Sequence, residues 1–323
     1  MTSEKNSSRI DVTGLQTIPK AELHIHLEGS LDRATLDRIA ARKGLEPLKA
    51  DPYVFNDFEG FNKVFRSLAR FLEDEADFYD AALALAERQA RDHVIYTECF
   101  LMPLFHVTRG IAVEALFQSV DAGLQDGEAR FGGRTRLLFS IPRVFGAEAG
   151  FQTLEILEKH PWDRVLGVDL AGTEKVGDVP EFAPVFEKAR ALGLHTVAHA
   201  GELTGPEQVL QTLDLLGAER IGHGIHAVED PALLERLARD QVALEVCPTS
   251  NLRLGAVPSI EDHPLRTLFD TGVPLVINTD DPAFFKTTLT WELELLPRHF
   301  GFTSNEVHAV VQNGFRFAFS NGG

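Results

Sequence analysis

Eight short runs of β-branched and apolar residues, each followed by a segment with helical spacing, predict an α/β chain folded as a (β/α)8 TIM barrel. Two further observations agree. Polar residues suited to chemistry recur at the C-terminal ends of these runs, where such a barrel builds its site. The 323 residues, 44 % hydrophobic and 24 % charged, hold enough apolar material for one large core. That length also suits two modest domains, but no repeat, low-complexity tract or Pro/Gly/Ser-rich linker divides the chain. A single domain over residues 1–323 is expected.

The chain opens on "MTSEKNSSRIDVTG", polar with no apolar run behind it, which lacks the core of a signal peptide and reads as a flexible tail over residues 1–17. The expected strands follow: "ELHIHL" (22–27), "VIYTECF" (94–100), "RLLFSI" (136–141), "VLGVDLAG" (165–172), "HTVAHAG" (195–201), "RIGHG" (220–224), "VALEVC" (242–247) and "VPLVINTD" (273–280). Between them lie amphipathic segments such as "FAPVFEKARALG", "GPEQVLQTLDLLGAE" and "EDPALLERLARDQ", punctuated by Pro near the start or Gly at the end. The first connection is far longer than the others. Residues 31–92 hold three helical segments, "LDRATLDRIAARKG", "FEGFNKVFRSLARFL" and "EADFYDAALALAERQARD". A helical insertion at that end of a strand sits over the barrel mouth, as a lid, as inert packing or as an oligomer contact. Its phenylalanines are ordinarily core, although a purine ring would accept one or two of them.

Composition narrows the partners. A net charge of -17 repels a phosphate backbone, and no cluster of Lys and Arg interleaved with aromatics offsets it, so nucleic acid is excluded as a partner. No stretch approaches the roughly 20 apolar residues of a membrane span. Two cysteines, Cys99 and Cys247, make neither a disulfide scaffold nor a CxxC site, which fits a reducing cytoplasm. A small uncharged or cationic substrate suits the acidic surface. Nothing in the sequence sets the oligomeric state.

His24 and His26 stand two positions apart on the first strand and therefore point the same way. A lone HxH is ordinarily a hydrogen-bonded structural pair. Here His199 and Asp280, at the ends of the fifth and eighth strands, can complete three nitrogens and one carboxylate around a cation, a set that suits zinc and that Fe(II) also accepts. Glu202, three residues after His199 in "HAGE", is placed to move a proton, or is a solvated carboxylate at a helix start. His223 lies between two glycines and can steady a developing charge, or be a rim histidine with its hydrogen bonds met. Asp281, beside Asp280, offers a second carboxylate, and "DDP" also reads as a helix start. The remaining histidines are assigned to packing or surface.

Taken together, "PKAELHIHLEGSL", "GVDLAGTE", "HAGE", "RIGHGI", "EVCPTSN" and "NTDDP", in this order, resemble the adenosine deaminase family of the amidohydrolase superfamily. The resemblance spans about Pro19 to Asp281. It implies one catalytic zinc on His24, His26, His199 and Asp280; the Lys or Glu that bridges two metals in other members is missing from "VLGVDLAG". It further implies that Glu202 protonates N1 of a purine and that His223 holds the attacking oxygen. Asp281 would meet N7, the Gly172 N–H would meet N3, and Ser250 would support His223 from behind. The implied reaction replaces the 6-amino group by a 6-oxo group and releases ammonia.

One position departs from the pattern. Glu28 stands where adenosine-specific members usually carry Asp to hold the ribose 5′-hydroxyl, and its longer side chain would crowd that contact. Relatives with "HLEG" include adenine deaminases and enzymes acting on 6-aminodeoxyfutalosine, a menaquinone precursor; adenine deaminases otherwise resemble "HAGEEG" and lack "DLAG". On these residues an adenosine-type nucleoside ranks first, with 6-aminodeoxyfutalosine and free adenine as alternatives. From other classes come a non-purine metal hydrolase and a non-catalytic binder, the latter expected to have lost Glu202 or a ligand. None is lost.

Overall fold

All eight expected runs become strands because each carries apolar residues on both faces, the pattern of a parallel sheet buried on two sides. The computed structural model describes residues 12–319. Its strands are β1 (Lys20–His26), β2 (Val94–Leu101), β3 (Arg134–Pro142), β4 (Val165–Ala171), β5 (His195–Ala200), β6 (Arg220–His223), β7 (Ala243–Val246) and β8 (Leu275–Ile277). They pair in parallel, each with the next in sequence. The barrel expectation holds.

The seam between β8 and β1 is where regular pairing gives way. β8 is shorter than the expected 273–280, and the side chain of Asn278 replaces the missing ladder: its Oδ1 accepts from Leu23 N at 2.8 Å and His24 N at 3.1 Å. Beyond it, Asp280 bridges to Ile25, with His26 N donating to Asp280 O and Asp280 N to His24 O. β1 also slips register against β2 between Glu22 and Ile25. Such irregularities re-aim side chains, and here they flank His24, His26 and Asp280.

The long first connection contains α1 (Arg33–Arg42), α2 (Phe58–Ala69) and α3 (Glu75–Arg91). Each starts on an aspartate whose side chain accepts a backbone N–H: Asp32 from Thr35, Asp57 from Gly60, Asp74 from Asp77. α3 packs so closely on helix Val113–Phe131 that a Cβ at Gly127 would lie 2.3 Å from the Ala86 methyl. α3 is thus part of the outer helical ring, and α2 is the helix of this connection that reaches over the barrel mouth.

At the opposite end, Arg220 is buried between Glu98 and Glu245, with Nη2 to Glu98 at 2.5 Å and Nε to Glu245 at 2.6 Å. Its Nη1 donates to Phe317 O, and its guanidinium lies 3.6 Å from the Phe319 ring centre. The C-terminal segment plugs the barrel floor. Of the expected flexible tail, residues 1–11 lie outside the described residues. The rest differs from that expectation: Val12–Gln16 forms a 3-10 helix, because Leu15 is buried and its carbonyl accepts from Lys20 Nζ at 2.8 Å. Among the described residues no helix is long and apolar enough to cross a membrane.

Candidate active site

The C-terminal strand ends bring imidazoles and carboxylates into one buried cluster. Donor atoms of His24, His199, His223 and Asp280 lie within 4.8 Å of one another, and those of His26, Asp280 and Asp281 form an overlapping group. The four residues expected as ligands therefore meet on Asp280, whose Oδ1 is 3.5 Å from His24 Nε2 and 3.2 Å from His26 Nε2. His223, expected to hold the attacking oxygen, belongs to the first of these groups.

The donor set fits a divalent cation. His24 Nδ1 is tied to Glu245 Oε2 at 2.9 Å, while its Nε2 is buried without a hydrogen-bond partner among the described residues. His199 likewise places Nδ1 on Asp169 Oδ1 at 3.0 Å, which frees its Nε2. Carboxylates behind ring nitrogens fix tautomers in metal sites. Burial pulls the His24 imidazole down, yet Asp280 and Glu245 push it up to about 10, a sign that these carboxylates call for a positive charge here. Burial opposes ionisation of Asp280, but the His24 and His26 imidazoles beside it hold it well below the usual carboxylate range.

Glu202 is buried on the turn after β5. Glu174 builds that turn: its carboxylate accepts the backbone N–H of Glu202, Leu203 and Thr204 and the Thr204 hydroxyl. Burial, then the nearby charges of Asp280 and Glu174, raise Glu202 well above the usual range, which suits a group that takes up and returns a proton near neutrality. Burial and then His24 hold His223 well below its ordinary value, so its ring is neutral. His223 (φ +61°) and Asp280 (φ +65°) both occupy the left-handed region, strain of the kind that collects at functional sites.

Asp281 is raised well above its usual range by burial and by Asp280 beside it, and its Oδ1 has no partner among the described residues. A Cβ at Gly29 would fall 1.7 Å from that oxygen, so residue 29 leaves room for the carboxylate. Glu28, expected at the substrate, is committed elsewhere: its Oε1 accepts from His106 Nε2 at 3.0 Å and Met102 N at 3.1 Å. Above the cluster opens a cavity of about 280 Å³, bordered by His26, His199, Glu202, His223, Asp280, Asp281 and Gly172 and roofed by Phe58, Phe61 and Phe65 of α2. Glu28 does not border it. Gly172 adopts φ +96°, open to glycine and closed to most side chains.

Ser250, expected behind His223, instead donates to Asp280 Oδ2 at 2.6 Å. The neighbouring Asn251 reaches His223. His106 and His263, assigned to packing, are buried and hydrogen-bonded to Glu28 and Asn251. Sequence reasoning also missed Glu245 and Asp169 as supports of His24 and His199. A signal for them existed, because an acidic residue in a strand buried on both faces must find a partner.

A sequence profile described as "Adenosine deaminase" matches residues 19–322. The chain is 37 % identical over 316 residues to an adenine deaminase of Cupriavidus necator, covering 94 % of this chain and 88 % of that one. An adenine deaminase structure from Arthrobacter aurescens superposes with a TM-score of 0.89 at 32 % identity, covering 94 % of both chains. An amidohydrolase from Burkholderia ambifaria with bound Zn gives 0.89 at 29 %, covering 96 % and 88 %. Arabidopsis ADAL complexed with IMP gives 0.83 at 26 %, covering 95 % and 94 %. With a profile spanning nearly the whole barrel and deaminases among its relatives, the chain belongs to the adenosine deaminase family and is a hydrolytic deaminase of purines.

Proposed function

We propose that this protein converts free adenine and water to hypoxanthine and ammonia, with one zinc ion held by His24, His26, His199 and Asp280. The observation that carries the choice of substrate is Glu28. One of its oxygens, Oε1, is engaged by His106 and Met102, and the residue is absent from the cavity wall, so it presents no carboxylate there to a ribose hydroxyl. A cavity of about 280 Å³ lies just below the ~300–1,000 Å³ range of ligand sites, which suits a small ligand. A phosphate is poorly provided for, since among the described residues the one Lys or Arg side chain on the cavity, Arg66, is exposed and donates to Asn62 O. The Cupriavidus necator protein to which the chain is 37 % identical is an adenine deaminase. Two free, buried cysteines suit a reducing cytoplasm.

Zinc, when bound, supplies Lewis-acid activation of a water molecule. Glu202 is placed to accept a proton from the attacking water and to deliver it to N1 of the purine, which would make C6 electrophilic. Oxygen then adds to C6, and His223 donates a hydrogen bond to it as charge builds. Asp281, kept protonated by burial, donates to N7, and the Gly172 N–H orients N3. A second proton transfer releases ammonia and leaves the 6-oxo purine.

The nucleoside reading keeps one observation in its favour: the "DLAG" element is present and Gly172 lines the cavity. The zinc-loaded protein should be offered adenine, adenosine, deoxyadenosine, AMP and 6-aminodeoxyfutalosine side by side, with loss of 6-aminopurine absorbance as the readout. Adenine is expected to exceed the others in kcat/KM by about 100-fold or more. Equal or higher efficiency on adenosine would overturn the choice of the free base.

A further inference from the structure

A chain of hydrogen bonds with only one consistent polarity runs into His223 from outside the site. It begins at a backbone N–H, which can only donate: Leu265 N lies 3.3 Å from His263 Nδ1. His263 Nδ1 is therefore the accepting nitrogen, and the ring, buried and held neutral with a value lowered to about 3, carries its proton on Nε2. That Nε2 lies 3.2 Å from Asn251 Oδ1. The donation fixes which way the buried Asn251 amide faces, and its Nδ2 then points to two acceptors, His223 Nδ1 at 3.2 Å and Glu202 Oε1 at 3.3 Å. Asn251 cannot turn over without setting its oxygen against the Glu202 carboxylate and its NH2 against the His263 N–H.

We propose that Asn251 and His263 are positioning residues that lock His223 in its Nε2–H tautomer, so that this N–H is presented to the reacting oxygen while the same amide holds one oxygen of Glu202. This rests on the deaminase reading of the site. It assigns two residues to the reaction without contact with the reacting atoms, and it starts the device in the loop that precedes helix Leu265–Asp270. The backbone of Asn251 is itself fixed, since its carbonyl accepts from Ala256 N at 2.8 Å and Val257 N at 3.3 Å.

The test is long-range 1H–15N correlation of the zinc-loaded, 15N-histidine-labelled protein, with His223 assigned by its loss in His223→Gln. In wild type, His223 Nδ1 is expected to be pyridine-like and Nε2 pyrrole-like. Asn251→Asp replaces the donor by an acceptor and should move the proton to Nδ1, with kcat falling about 10- to 100-fold and KM within about threefold. His263→Gln keeps an N–H toward Asn251 and should preserve both tautomer and kcat; His263→Leu removes the lock and should mix the tautomers. The His263 pair carries the test if Asn251→Asp fails to fold. A wild-type His223 bearing its proton on Nδ1, or a tautomer unmoved by His263→Leu, would overturn the relay. Because the tautomer is read without turnover, its failure is separable from failure of the deaminase reading, which would show as wild type inactive on every 6-aminopurine.

Discussion

Both ends of the barrel bury charged side chains and treat them oppositely. On the floor, Arg220 is matched by Glu98 and Glu245 and by the Phe317 carbonyl, and its remaining face is covered by the Phe319 ring. At the mouth, His24 Nε2 and Asp281 Oδ1 are buried with no partner among the described residues, and His223 and Asp280 hold strained backbone conformations. Complete pairing is what stability asks of a buried charge, and incomplete pairing persists where a ligand supplies the missing partner. The ends are joined through Glu245, which gives one oxygen to Arg220 and the other to His24. The floor thereby orients a residue of the mouth.

This contrast is open to experiment. Glu202→Gln at the mouth should lower kcat by about 10²- to 10⁴-fold while zinc content and thermal midpoint stay near wild type; a variant retaining most of its turnover would remove Glu202 as proton carrier. Arg220→Met on the floor takes the cation away from two buried carboxylates and should cost about 3–5 kcal/mol in denaturant unfolding, with weakened zinc retention through the loosened His24. Unchanged stability would erase the distinction between the ends.

Between the two extremes lies Glu292, a buried carboxyl with hydrogen bonds from Thr249 N and the Thr287 hydroxyl but no cation. Burial lifts it from 4.5 to about 7. Its proton is thus bound more tightly in the folded protein than in the unfolded chain. The stability it contributes is complete below about pH 4.5 and is lost as pH rises toward 7, on the order of 3 kcal/mol at most. Glu292→Gln should flatten the wild-type decline of unfolding free energy across that window; an identical slope in both proteins counts against the shift. The smallest effect is expected at Asp57, which caps α2 through Gly60 N at 2.7 Å. We propose α2 as the lid of the cavity, and Asp57→Ala should then raise KM severalfold for about 1 kcal/mol of lost capping, with little change in global unfolding. A KM equal to wild type would make α2 inert packing.

Much of this was readable in advance for a physical reason. Strand runs such as "RLLFSI" and "VLGVDLAG" announce themselves because a parallel barrel strand is buried on both faces, and His24 and His26 share a side because strand side chains alternate. Asn278 was hidden, because a side chain standing in for a β8 ladder bond looks like a polar strand residue until β1 lies beside it. Glu28 read as a substrate contact for want of His106, which is 78 positions away. Ser250 and Asn251 are adjacent on helix Pro248–Arg253, and only its orientation decides that the first serves Asp280 and the second His223.

Local pattern alone therefore determined the barrel, the order of its strands and the residues whose chemistry demands company, since periodicity and residue type are properties of short stretches. Tertiary structure decided the partners: which carboxylate stands behind which imidazole, which orphaned atom faces the cavity, and which way a buried amide points. Those depend on distances of about 3 Å between residues up to 257 positions apart, and no local rule carries that information.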